Sequence, residues 1–148
     1  MFGAFQTALI EPTELLWPSA AHLALTAFLY VWLSVERALS VLKQRNRYAD
    51  FARPGGDAGR GARVAANLCN QFEAPPFFHM LILALVLAGD PVQGQLWLAW
   101  VFVFGRVLHT GVQALSDAVL LRGFVFAINF SALAGLWLSF FFQAFSSA

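Results

Sequence analysis

Four apolar stretches, at about residues 17–41, 64–88, 95–115 and 123–145, are each as long as the ~20 residues that a ~30 Å hydrocarbon layer demands of a helix. In lipid every backbone N–H and C=O must be paired within the protein, which leaves only helices or a closed barrel. A barrel needs apolar and polar residues in strict alternation, and these stretches lack it. With 59% hydrophobic and 11% charged residues, the 148-residue chain carries more apolar side chain than a soluble core could hide. The expected fold is all-α: an integral membrane antiparallel four-helix bundle, formed by residues 1–148 as one domain.

The basic residues set an orientation, because Lys and Arg beside membrane spans are retained in the cytoplasm. Of nine such residues, Arg37, Lys43, Arg45, Arg47, Arg53, Arg60 and Arg63 cluster around the first connection and Arg122 lies in the third. Both termini are therefore expected on the periplasmic side, with a flexible, Gly- and Arg-rich basic loop at about residues 43–63 in the cytoplasm, facing anionic headgroups. The formal net charge is only +1, so the charge is polarised along the chain rather than spread as a nucleic-acid surface. Gly89-Asp90-Pro91 and residues 116–122 are tight links that favour antiparallel neighbours. The first span is expected to remain in the mature protein, since Glu11 and Glu14 precede it without a basic n-region.

Against this apolar background, A-A-N-L-C-N-Q-F-E-A-P-P-F-F places Asn67, Asn70, Gln71 and Glu73 inside the second span. An acidic side chain at a helix centre costs about 2.5–3.5 kcal/mol, so Glu73 is expected to face a partner or a polar cavity. Pro75 and Pro76 donate no N–H, which deprives the carbonyls of Gln71 and Phe72 of helical donors and predicts a kink beside Glu73. In the third span Arg106, His109, Gln113 and Asp117 recur at i, i+3, i+7 and i+11, one helix face, with Thr110 beside them. The topology brings Glu73 and Arg106 to similar depths. They form either an ion pair that only fastens two helices or part of a ligand site.

Other signals are weaker. The lone Cys69 forms no internal disulfide and reads as a packing residue. His22, His79 and His109 lack short metal-binding spacing, so no metal is expected. His22 and Thr26 suit interhelical hydrogen bonds, and Asn129, Ser131, Ser139 and Gln143 do not converge on one stripe. The loop order G-G-D-A-G-R-G does not match a dinucleotide fingerprint, and no strand precedes it.

Three ordered segments together resemble a known family: A-R-V-A-A-N-L-C-N-Q-F-E-A-P-P-F-F, A-W-V-F-V-F-G-R-V-L-H-T-G-V-Q and R-G-F-V-F-A-I-N-F-S. From about Arg60 onward the chain is similar to small bacterial members of the membrane-associated proteins in eicosanoid and glutathione metabolism, the MAPEG family. The resemblance implies a four-helix protomer, a homotrimer in a bacterial inner membrane, and sites between adjacent protomers toward the cytoplasm. It implies glutathione as co-substrate, with Asn70 and Glu73 matching the family's Asn-x-x-Glu pair and Asn67 beside them. Arg106 and Arg122 are the candidate catalytic arginines that hold carboxylates or stabilise a thiolate, and His109 and Gln113 are candidate hydrogen-bond donors. The sequence departs from catalytic relatives at Ala66, where they commonly carry arginine, and at His109 and Gln113, which replace tyrosines.

Three functions follow as expectations. The first is a glutathione-dependent transferase or peroxidase acting on lipophilic small-molecule substrates drawn from the bilayer. The second is a noncatalytic membrane scaffold or lipid-binding protein that keeps the fold, and the third a proton or small-solute path along Glu73, Arg106 and His109.

Overall fold

A computed structural model describes residues 8–53 and 55–146. Among these residues the regular structure is helical, with one isolated bridge between Leu9 and Val92 besides. After a 3-10 turn at Pro12–Leu15 come α1 (Leu16–Leu42), a second 3-10 turn (Tyr48–Ala52), α2 (Arg60–Asn70), α3 (Pro75–Ala88), α4 (Gln93–Leu115) and α5 (Val119–Ser146). Four helical segments are long and apolar enough to cross a membrane, with α2 and α3 together supplying one of them. The chain is an all-α four-helix membrane protein.

The second span departs from the expected kink: it is broken. At 1.5 Å per residue, α2 covers ~16 Å and α3 ~21 Å, so neither alone crosses the hydrocarbon layer. Pro75 opens α3 at its first position, where a missing N–H costs nothing. Residues 71–74 turn between the two helices, and the N–H groups of Gln71 and Phe72 bond only three residues back, to Leu68 and Cys69. Downstream, α3 stops at Gly89, whose φ of +89° is the left-handed conformation that a side chain resists. That tight exit sends α4 back through the middle of the bundle.

Helix α4 packs against α1, α2 and α5 and is the most enclosed of the spans. The core around it has two apolar parts. At one end Leu15, Phe78, Leu81, Leu85, Phe102 and Leu136 are almost fully buried, with the Phe78 and Phe102 rings stacked at 4.4 Å. Toward the basic end Leu29, Leu33, Val64, Leu68 and Ala114 form the second part. A polar layer lies between them. The outward faces carry Leu23, Phe28, Val31, Phe104, Leu108 and Phe142, an apolar surface that suits lipid.

The basic connection carries a defined set of contacts. Arg37 makes a two-pronged bond to Asp57 (2.8 and 2.7 Å), Arg60 pairs with Glu36 (2.6 Å), and Asn46 links Ser40 to the Gly56 carbonyl. Lys43, Arg45, Arg47 and Arg53 remain exposed beside these pairs.

Candidate functional site

The break in the second span creates the site's electrostatics. A helix ending inside the bundle leaves its last carbonyls without intrahelical donors and carries partial negative charge there. Both consequences are met by side chains: Gln71 Nε2 donates to the Asn67 carbonyl at 3.2 Å, and a terminal guanidinium nitrogen of Arg106 donates to the Asn70 carbonyl at 3.0 Å. Arg106, 1% exposed, is thus held by a helix end. The ion pair with Glu73 considered above does not form: the pairs within 4.0 Å among the described residues join Arg37 to Asp57, Arg60 to Glu36 and Arg63 to Asp117. With a terminal nitrogen of Arg106 bonded to Asn70 O, the Glu73 carboxylate is left exposed at the break.

Glu73 and Arg106 nevertheless share a groove. Its cavity of about 430 Å³ is polar at one end, where Asn70, Glu73 and Arg106 meet, and apolar along the rest, lined by Ala74 and Phe77 and by Phe126, Phe130, Leu133, Ala134 and Trp137 of α5. That volume falls within the range of small-molecule sites. The groove is open along the outer face of the protomer, between the break and α5.

Behind it runs a chain of buried hydrogen bonds. Gln71 Nε2 donates to the Asn67 carbonyl and, at 3.0 Å, to Asn67 Oδ1, so Gln71 Oε1 must accept from His22 Nε2–H at 3.1 Å. His22 Nδ1 is then a bare acceptor for His79 Nε2–H (3.1 Å), and His79 Nδ1 accepts from the Ser19 hydroxyl (2.7 Å). Onward, Thr110 donates to Asn67 Oδ1 (3.0 Å), while the amides of Asn67 and Asn70 both donate to Gln113 Oε1 (2.9 and 3.1 Å). One end of the chain is fixed by a backbone carbonyl, so every donor has a defined direction. Amides in its centre hold protons firmly, which makes it a scaffold rather than a conducting wire.

The expected site residues therefore divide. Asn70, Glu73 and Arg106 meet at the groove; Asn67 and Gln113 stand behind it in the hydrogen-bonded layer; His109 is buried against Phe126, ring centroids 6.1 Å apart. Arg122 is exposed near the start of α5, one turn before Phe126. The i, i+3, i+7 face of α4 is buried through Gln113, whereas Asp117 lies past the helix end and pairs with Arg63.

Sequence reasoning missed three contributors. His22 makes the interhelical hydrogen bonds expected of it, to Gln71 and His79, but His79 and Ser19 also join the polar layer although nothing in their spacing links them. Asn129, 2% exposed, presses its amide into the notch left by Gly105. The groove's wall of Phe126, Phe130 and Trp137 was hidden among sixteen phenylalanines and five tryptophans. A helical-wheel overlay of antiparallel α4 and α5 pairing Gly105 with Asn129 was the available signal. Among the described residues no group of three or more His, Cys, Asp or Glu is placed to hold a metal ion.

Comparison with known proteins gives one finding: the family described as the MAPEG family matches residues 15–142, which extends the similarity across the first span as well. No curated protein and no solved structure matches the chain.

Proposed function

Because the chain belongs to the MAPEG family, an integral membrane family that includes glutathione transferases and peroxidases, we propose that it is a glutathione-dependent transferase or peroxidase for lipophilic electrophiles. The observation that carries this reading is the groove at the helix break, which puts a carboxylate, a guanidinium and an amide at one end of an otherwise apolar slot. Glutathione offers matching groups: an ammonium for Glu73, and carboxylates and a thiol for Arg106. A guanidinium beside the thiol favours its thiolate, the nucleophilic form. In the transferase reaction the glutathione sulfur bonds to the electrophilic carbon as the leaving group departs with the bonding pair. In the peroxidase reaction two glutathione thiols reduce a hydroperoxide to an alcohol and water and leave as the disulfide.

Asn70 and Glu73 orient the peptide, Arg106 stabilises carboxylate or thiolate, and Arg122, one turn from Phe126, approaches from the basic end. Asn67, Gln113 and His109 hold these groups in place. A homotrimer suits the geometry, because an open groove with an exposed Glu73 can be closed by a neighbouring copy. We place the protein in a bacterial inner membrane with the basic loop in the cytoplasm and both termini in the periplasm; the first seven and last two residues lie outside those described.

A second reading, a noncatalytic scaffold or lipid-binding protein, draws on Gln113. Where catalytic relatives carry a tyrosine hydroxyl, its oxygen accepts from both asparagine amides and is occupied in the scaffold. Calorimetry with glutathione and conjugation or peroxide-reduction assays in nanodiscs separate the two. Binding and turnover that collapse in Glu73→Gln support the enzyme; absence of both across several electrophiles overturns it.

A further inference from the structure

Three side chains at the α4–α5 contact are buried with polar atoms that meet no partner: Arg106 Nε, His109 Nδ1 and both amide atoms of Asn129. Each residue is only 1–2% exposed. Buried polar groups are normally paired, so a cluster of unpaired ones needs an explanation. Asn129 has little freedom to seek a partner elsewhere, since its Oδ1 occupies the space that a Cβ on Gly105 would take. Gly105 thus seats the amide at one depth and in one orientation.

The cluster adjoins the groove. Arg106 lines the groove directly, as do Phe126 and Phe130, which flank Asn129 on α5. At ~100° per residue Asn129 lies at the margin of the stripe that Phe126, Phe130, Leu133 and Trp137 present to the groove. From Phe126 to Trp137 that stripe extends ~16 Å along the helix. Asn129 is an uncharged amide, and in the reading above Arg106 already serves a glutathione carboxylate or thiolate. A neutral oxygen is favoured over an anionic one. A hydrocarbon alone would leave the Arg106 and Asn129 N–H groups unmet.

We propose that Asn129, together with Arg106 Nε and His109 Nδ1, forms an oxygen-binding position for the second substrate, and that this substrate bears a neutral acceptor oxygen on an unbranched tail lying along α5. Arg106 Nε–H and Asn129 Nδ2–H donate to the oxygen, and the tail packs on the aromatic stripe. Asn129 itself does not line the groove, whereas Phe126 and Phe130 do, so one of these rings must shift to admit the oxygen. This deepens the transferase or peroxidase reading by naming the ligand class of its groove.

The test uses the full chain in nanodiscs and a matched pair of unreactive probes, 2-tridecanone and tridecane, each displacing a fluorescent long-chain alcohol, with empty nanodiscs subtracted. One hydrogen bond sets the scale, so the ketone is expected to bind about 10-fold more tightly than the alkane. In Asn129→Leu, which leaves only the Arg106 donor, that preference should fall to about 3-fold or less while tridecane affinity is unchanged. Asn129→Ser, which keeps a hydroxyl donor, should restore part of it and serves if the leucine variant does not fold. A ketone preference absent from the wild type or still above about 3-fold in Asn129→Leu, equal loss for both probes, or failure of both variants to fold overturns the proposal. The assay contains no glutathione, so a failure of glutathione binding leaves its result readable.

Discussion

Replacing Arg106 with Met separates a fastener from a binding group, because the two roles predict opposite patterns of loss. Arg106 is the largest fully buried side chain, and its bond is to the Asn70 carbonyl at the end of α2. A cation at mid-membrane costs about 2.5–3.5 kcal/mol on insertion scales. Its charge-assisted bond returns about 1.5–3 kcal/mol, and the negative end of a helix adds about 0.3–1 kcal/mol. These terms nearly cancel. Methionine fills much of the same space and is flexible enough to repack, so Arg106→Met is expected to change stability by no more than about 1 kcal/mol. Glutathione loses a charge-assisted contact worth about 1.5–3 kcal/mol, a weakening of about 10- to 150-fold. Reversible unfolding in mixed micelles gives the first quantity and calorimetric titration in nanodiscs the second. A loss of more than about 3 kcal/mol of stability with unchanged glutathione affinity would refute the reasoning and make Arg106 a structural fastener.

Three further outcomes follow from the geometry. Gly105→Ala drives a Cβ into the Asn129 amide and is expected to cost about 1–3 kcal/mol in unfolding experiments, much of it recovered in Gly105→Ala/Asn129→Ala; an unchanged single variant would contradict the contact. The direction of the buried hydrogen bonds makes His22 and His79 both Nε2–H tautomers, which ¹⁵N chemical shifts of labelled imidazoles report directly; an Nδ1–H signal from either would break the assigned chain. Arg63→Ala removes a solvent-facing pair with Asp117, whose side chain is 89% exposed, and should shift stability by less than about 1 kcal/mol in the same unfolding assay.

Much of the architecture was legible because lipid permits so few solutions. Apolar length marked four helical segments long enough to cross a membrane; α2 begins at Arg60, where Gly-rich polar sequence hid the first helical turn, and α5 begins at Val119. The Arg106, His109 and Gln113 face was legible from helical spacing, since three polar residues on one face of a membrane helix are expensive unless buried. Partner choice was not legible. Opposite charges at similar depth suggested Glu73 with Arg106, yet a broken helix supplies a carbonyl that competes for the guanidinium, and the prolines hinted at that carbonyl without naming its donor. Asn129 escaped for a related reason: its environment is set by the register of α5 against Gly105, a property of two helices together.

The helix break, the buried arginine and the groove are three aspects of one arrangement. With ordinary residues at positions 75 and 76, the helical N–H groups could continue through residues 71–74, and Ala74 would be the natural donor to Asn70 O. Arg106 would then face a helix side with every carbonyl taken, at a depth where an unpaired cation is costly. The prolines remove that competition. They end α2 inside the bundle, give Arg106 an acceptor, and turn Glu73 away from the packed core toward the open face. The polar end of the groove is therefore made of the Asn70, Glu73 and Arg106 side chains, with the guanidinium positioned by a helix-end carbonyl. Such a site does not depend on a Glu73–Arg106 pair, so both charges are available to a ligand at once.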